Sequence, residues 1–122
     1  LRVALYFYGS PVYSKETGYV IKKLDLTTDL DEVYQRLFEA KISGGDEYVA
    51  RVSQAALKDL KWSEEAKALK IIFVCGNEAV DQDKEVKLDS VAELAKKKGI
   101  FVNAIYCGVA QSPESKGWAK FA

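Results

Sequence analysis

Histidine is absent from all 122 residues. With it go the commonest general base and the commonest transition-metal ligand, so any metal held by the chain is expected to be a hard cation bound through oxygen. Cysteine is scarce: Cys75 and Cys107 stand 32 positions apart with no CxxC spacing. That spacing argues against a redox motif or a zinc site and predicts two buried thiols. Without histidine, neither thiol has a base to make it a nucleophile. No charge of one sign dominates, since Lys plus Arg and Asp plus Glu both number 18. No positive field is therefore available for a phosphate backbone, and nucleic acid is not an expected partner. Apolar runs such as Ile71 to Cys75 fall far short of the roughly 20 residues that cross a bilayer, so this segment is not expected to insert into a membrane. Leu1-Arg2 does not open a signal peptide. Repeats and low-complexity segments are also missing.

What remains is the composition of one globular domain, 1–122, of a size to bury a core without a staple. Arg2 to Tyr8 reads as a buried strand, and turn residues from Gly9-Ser10-Pro11 to Thr17-Gly18 lead to a second strand, Tyr19 to Leu26. Lys22 and Lys23 suit the edge of a hairpin. Thr28 with Asp31 predicts a capped helix whose stripe, Leu30, Val33, Tyr34, Leu37 and Phe38, faces inward until Ser43-Gly44-Gly45 stops it. Asp46 is placed to cap the next helix, with Val49, Val52, Ala56 and Leu60 inside and its end near Lys61-Trp62. Leu69 to Cys75 is the strongest buried-strand signal. An acidic loop, Glu78 to Glu85, reads as solvated surface. A helix from Leu88 to Lys98 follows, with Leu88, Val91, Ala92 and Ala95 inward and Gly99 as terminator, and then a buried strand, Ile100 to Cys107. An amphipathic helix is expected to begin near Gly117-Trp118.

This order predicts an α/β fold: a three-layer open sheet, mostly parallel, with one antiparallel edge strand. Tracing strand directions brings four pieces to one rim: Gly9-Ser10, Gly44-Gly45-Asp46, Cys75 to Glu78, and Cys107-Gly108. Ligands of open α/β sheets bind outside the carboxyl ends of the strands, so that rim is the expected site. Oxygen-bearing residues there suit Mg²⁺ or Ca²⁺. The same residues also have plain structural uses, Asp46 as a helix cap and Gly44 as a terminator. Asp81-x-Asp83-x-Glu85 has the spacing of a calcium loop but lacks its turn glycine and distal glutamate.

Asp25-Leu26-Thr27-Thr28-Asp29-Leu30, then Gly44-Gly45-Asp46-Glu47 opening a helix that ends Leu60-Lys61-Trp62, then Leu69 to Asn77 and Lys98 to Gly108, together resemble bacterial von Willebrand factor type A domains. The resemblance implies a Rossmann-like protein-interaction module, not an enzyme, whose rim binds Mg²⁺ or another divalent cation at a metal-ion-dependent adhesion site. A carboxylate of a protein partner completes the coordination. Three loops build such a site. The first, Asp-x-Ser-x-Ser, has no counterpart here, because Leu1 falls at what resembles the family's second strand, and the family's last strand has no counterpart either. A central strand would then be lacking beside the first and fifth segments. The second loop usually offers Thr, where this chain has Asp46 and Glu47. The third usually offers Asp, where this chain has Asn77, whose carbonyl coordinates without charge. The expected metal residues are thus Asp46 and Asn77 in a degenerate site, with Gly44, Gly45, Glu47, Gly76 and Glu78 as the surrounding ligand rim. The competing function is a small nucleotide- or phosphate-binding enzyme on the same rim, which lacks both GxGxxG and GxxxxGK[ST].

Overall fold

Runs of β-branched and aromatic residues build the first hairpin in the computed structural model, which describes residues 1–122. β1 (Val3–Tyr8) pairs antiparallel with β2 (Val20–Thr27), Tyr8 opposite Val20 and Val3 opposite Thr27, with register shifts between Val3 and Tyr6. Between them Ser14 caps a single 3₁₀ turn, Lys15–Thr17, which Gly18 closes in the left-handed conformation.

α1 (Leu30–Leu37) follows and lies against both strands. Its cap is Asp29, whose carboxylate accepts the Glu32 N–H at 3.0 Å, while Thr27 Oγ1 accepts the Asp29 N–H at 3.0 Å. The expected Thr28–Asp31 cap is thus displaced by one residue, because the Asp29 carboxylate is the group that reaches an orphan N–H of the first turn. The helix ends at Leu37, with Phe38 still right-handed, well before Gly44. Its apolar stripe exists but is uncovered: no residue of α1 is buried, and Tyr34 and Phe38 are 65% and 74% exposed.

The chain divides into two compact units, Leu1–Asp46 and Glu47–Ala122. The second holds α2 (Val49–Asp59), β3 (Ile71–Gly76), α3 (Leu88–Lys98), β4 (Phe101–Tyr106) and α4 (Pro113–Phe121). α2 starts after Tyr48 without a side-chain cap, so Asp46 does not cap it. The expected inner residues Val49, Val52, Ala56 and Leu60 are buried, and Leu57, outside that expectation, is wholly buried with them. Ala50, Leu57, Val91, Ala95 and Ile100 form one core cluster, with Ile72, Val102 and Phe121 packed on it. Buried Ser53 is satisfied by donating to the Val49 carbonyl at 2.8 Å. α3 has the predicted limits, ending on Gly99 at φ +62°, although Ala92 faces solvent. α4 is set by Ser112, which accepts the Ser115 N–H, and by Pro113 at the first helical position.

β3 and β4 are parallel and in continuous register, Ile71 opposite Phe101 through Gly76 opposite Tyr106. The fold is mixed α/β, as expected, but its strands form two two-stranded sheets, one antiparallel and one parallel, in place of one open sheet. β1 has β2 as its only strand partner and β3 has β4, so each keeps one hydrogen-bonding edge without a strand. The expectation that β3 and β4 are covered on both faces also fails. Burial alternates along β4, and Phe73 and Phe101 are each 64% exposed. Helices cover one face only, leaving the other to solvent. No helix is long and apolar enough to cross a membrane.

Candidate functional site

Within the first unit, two of the expected rim pieces meet. The Ser10 N–H donates to the Asp46 carbonyl at 2.9 Å, and a Cβ on Gly45 would stand 1.9 Å from the Ser10 carbonyl oxygen. Glycine at 45 is therefore required by close backbone approach and not by helix termination. Gly44 and the Asp46 side chain are exposed.

Within the second unit, the carboxyl ends of β3 and β4 are locked together by the Cys107 N–H donating to the Gly76 carbonyl at 2.7 Å. Glu78 is fixed from another direction, its carbonyl accepting the Trp118 indole N–H at 2.7 Å. Trp118 is buried, and Val80, also buried, packs beside Gly117. Tyr106 and Ser112 share a hydroxyl hydrogen bond of 2.8 Å, tying the end of β4 to the start of α4. The loop after β3 is thus anchored at its base by α4.

Glu47 belongs to this rim. Its N–H donates to Gln82 Oε1 at 2.7 Å. Burial pushes its carboxyl above the ordinary glutamate value; the backbone N–H groups of Asn77 and Glu78 pull it back in part, and the Glu78 charge adds to the rise. Oε2 is cut off from solvent and has no hydrogen-bond partner. An acceptor in that position costs free energy until a donor or cation meets it. Asn77, one residue beyond β3, is exposed.

The acidic loop is not the solvated surface its composition suggests. Asp83 is 4% exposed and takes a bidentate pair from Arg51, Nε and Nη2 each 2.9 Å from its oxygens. Asp83 Oδ1 also accepts the N–H groups of Glu85 at 2.9 Å and Val86 at 3.1 Å. Burial pushes this carboxyl up, but Arg51 and the two N–H groups outweigh burial and hold it below the usual aspartate value. The guanidinium stacks over Tyr48, 4.6 Å from the ring centre. Arg51 was not legible as a partner, because 32 residues separate the two charges. The Asp83-to-Val86 spacing is a local turn signal that identifies Asp83 itself.

The second unit therefore brings Glu47, Gly76, Asn77 and Glu78 to one strand end, while Gly44, Gly45 and Asp46 belong to the first unit. No group of three or more Cys, Asp or Glu side chains with metal-holding geometry is assembled. Cys75 and Cys107, expected to be buried, are both exposed, because the sheet face that bears them has no covering layer. No protein-family model, curated protein or solved structure matches this chain.

Proposed function

We propose that the chain is a protein-interaction module of the von Willebrand factor type A kind, acting by binding and not by catalysis, with its binding edge where β3 and β4 end. The observation that carries this is Glu47 Oε2, a carboxylate oxygen withdrawn from water and without a partner at that edge. The parallel β3–α3–β4 succession and the unpaired edges of β1 and β3 support the same assignment. β1 and β3 contain no charged residue or proline to blunt an edge, whereas β2 carries Lys22, Lys23 and Asp25. Each such edge by itself suits pairing with a further strand.

Glu47 fits a divalent cation as one anionic oxygen, and Asn77 fits as a neutral one. Water and a carboxylate from a protein partner supply the rest, as Mg²⁺ sites commonly allow. Glu47, beside Asp46 in the sequence, stands where the family's second loop offers Thr. So few charged ligands imply weak binding, roughly millimolar. Calorimetry with Mg²⁺, Mn²⁺ and Ca²⁺ tests this: weak heat is expected for the native chain, abolished in Glu47→Gln and reduced in Asn77→Ala. Absence of heat with every ion removes the cation from the proposal.

A further inference from the structure

The outer face of the β3–β4 sheet carries no charge along its length. By strand alternation Ile71, Phe73 and Cys75 share it with Phe101, Asn103 and Ile105, paired 71 with 101, 73 with 103 and 75 with 105. Asn103 is the only strongly polar side chain among them. Phe73 and Phe101 are each 64% exposed, and Leu69, just ahead of β3, is 74% exposed.

The amino end of this face is basic. The Phe101 N–H donates to the Lys70 carbonyl at 2.9 Å, and the Lys70 ammonium donates to the Lys98 carbonyl at 3.1 Å, which gathers the last turn of α3 against the start of both strands. Lys96 and Phe101 line one hollow with Gly99 and Phe121. Residues 66–77 and 94–113 include five lysines and no acidic residue, and none of those lysines is paired with a carboxylate. Glu47 and Glu78 stand together at the opposite, carboxyl end of β3. Basic residues at a helix C-terminus complement its dipole. That use accounts for Lys96 to Lys98, but not for the bare leucine and phenylalanines beside them.

Size and chemistry decide what such a face can meet. Two strands of six residues offer about 10 Å by about 20 Å, roughly 200 Å², whereas a stable protein interface buries about 800 Å² on each partner. A second copy of the chain gains too little from this face alone. Aliphatic Leu69, Ile71 and Ile105 have no ring on which a nucleic-acid base could stack, and no arginine stands among the lysines. A bilayer surface needs no matching shape. Exposed apolar side chains enter the headgroup boundary, while ammonium groups on flexible stems reach anionic lipid headgroups.

We propose that the amino end of the β3–β4 sheet adsorbs to anionic lipid bilayers. Leu69, Phe73 and Phe101 enter the interface, and Lys67, Lys70 and Lys96 to Lys98 face the headgroups. The contact is peripheral and spans nothing. It leaves the Glu47 edge at the far end of the strands, so this assignment and the cation-binding one stand or fall separately.

The test is cosedimentation of the full chain with phosphatidylcholine vesicles that contain or lack phosphatidylserine. Binding is expected only to the phosphatidylserine vesicles and should weaken with added salt. Each lysine near an anionic surface strengthens binding roughly fivefold, so the triple variant Lys96→Ala/Lys97→Ala/Lys98→Ala should bind roughly 100-fold more weakly, and Phe101→Ala roughly tenfold more weakly. All four positions are exposed, and circular dichroism checks that the variants stay folded. Hydrogen exchange on the native chain needs no variant: phosphatidylserine vesicles should protect residues 69–73 and 99–103 and spare 76–79. Binding to neither vesicle, equal binding to both, full affinity in the triple variant, or protection that spares 69–73 and 99–103 would each overturn the proposal. Full competition by soluble phosphoserine would do so by showing a headgroup pocket in place of a bilayer surface. Tighter binding of a single-stranded oligonucleotide, lost in the triple variant, would reassign the lysines to nucleic acid, and a dimer lost in Phe101→Ala would put a second copy on this face; either result overturns the proposal.

Discussion

α1 and α2 both carry an apolar stripe at helical spacing, and the two stripes meet different fates. In α2 the stripe closes over a core, with Val49 and Leu57 wholly buried. In α1 it lies open, with Leu30 and Leu37 half exposed and the Tyr34 and Phe38 rings packed edge to face on each other, 5.0 Å apart. Amphipathicity states which face of a helix can be buried; a second layer decides whether it is. The second unit supplies that layer through α3, β3 and α4, whereas α1 has only the hairpin, and its outer stripe has nothing upon it. Polar contacts differ in the same way. The first unit relies on exposed ion pairs such as Lys22–Asp25 and Arg36–Glu39, worth little in water. The second encloses Asp83 with Arg51.

Substitutions at matched leucines break this comparison most sharply. Leu57→Ala is expected to destabilise the chain by about 3 kcal/mol through cavity formation, while Leu37→Ala should stay within about 0.5 kcal/mol. Urea unfolding of the two variants gives the contrast directly, and equal losses would contradict it.

Asp83→Ala comes next. It leaves Arg51 without its main counter-charge in a site only one-fifth exposed, with an expected loss of about 3 kcal/mol. The pH dependence follows from the lowered Asp83 value. A folded-state carboxyl held below its unfolded value contributes stability that is complete above the unfolded value, near 3.9, and is lost as pH falls toward the folded one. Acid unfolding of the native chain should therefore steepen below about pH 4, and Asp83→Asn should blunt that dependence.

Gly45→Ala addresses the first unit. The added methyl collides with the Ser10 carbonyl and must separate Ser10 from Asp46, at an expected cost of about 2 kcal/mol. Faster amide exchange at Ser10, with no change at Leu57, is the expected signature.

The smallest effect belongs to Glu47→Gln, and its sign is opposite to that at Asp83. Because the Glu47 carboxyl is raised, the folded chain binds its proton more tightly than the unfolded chain. Stability therefore declines as pH rises from the unfolded value through the folded one and is level above it. Removing the charge should abolish that decline and leave the variant slightly more stable at neutral pH. A variant less stable at pH 7 would mean that the Asn77 and Glu78 N–H groups outweigh the burial of the charge.

Much of the second unit was legible from sequence because its signals are local. α3 ends where Gly99 adopts the left-handed conformation, and the inner positions of α2 follow from spacing alone. The Ser112-Pro113 start of α4 is a signal of the same kind, and it sets the helix start four residues before the expected Gly117. What sequence could not show depends on distant neighbours. LKIIFVC reads as a strand buried on both faces, but whether Phe73 and Cys75 are covered depends on a layer that no local pattern encodes. The exposed thiols and the Arg51–Asp83 pair are both of this kind. Asp46 and Asn77 stand out in the sequence by their chemistry, whereas the Glu47 oxygen stands out only in the structure, because its isolation arises from burial.

The central claim concerns that oxygen. Titrating Mn²⁺ into isotope-labelled protein should broaden the amide signals of Asn77 and Glu78 before those elsewhere, and Glu47→Gln should abolish the effect. Broadening that spares Asn77 and Glu78, or that persists unchanged in Glu47→Gln, would contradict a cation-dependent binding edge at the end of β3.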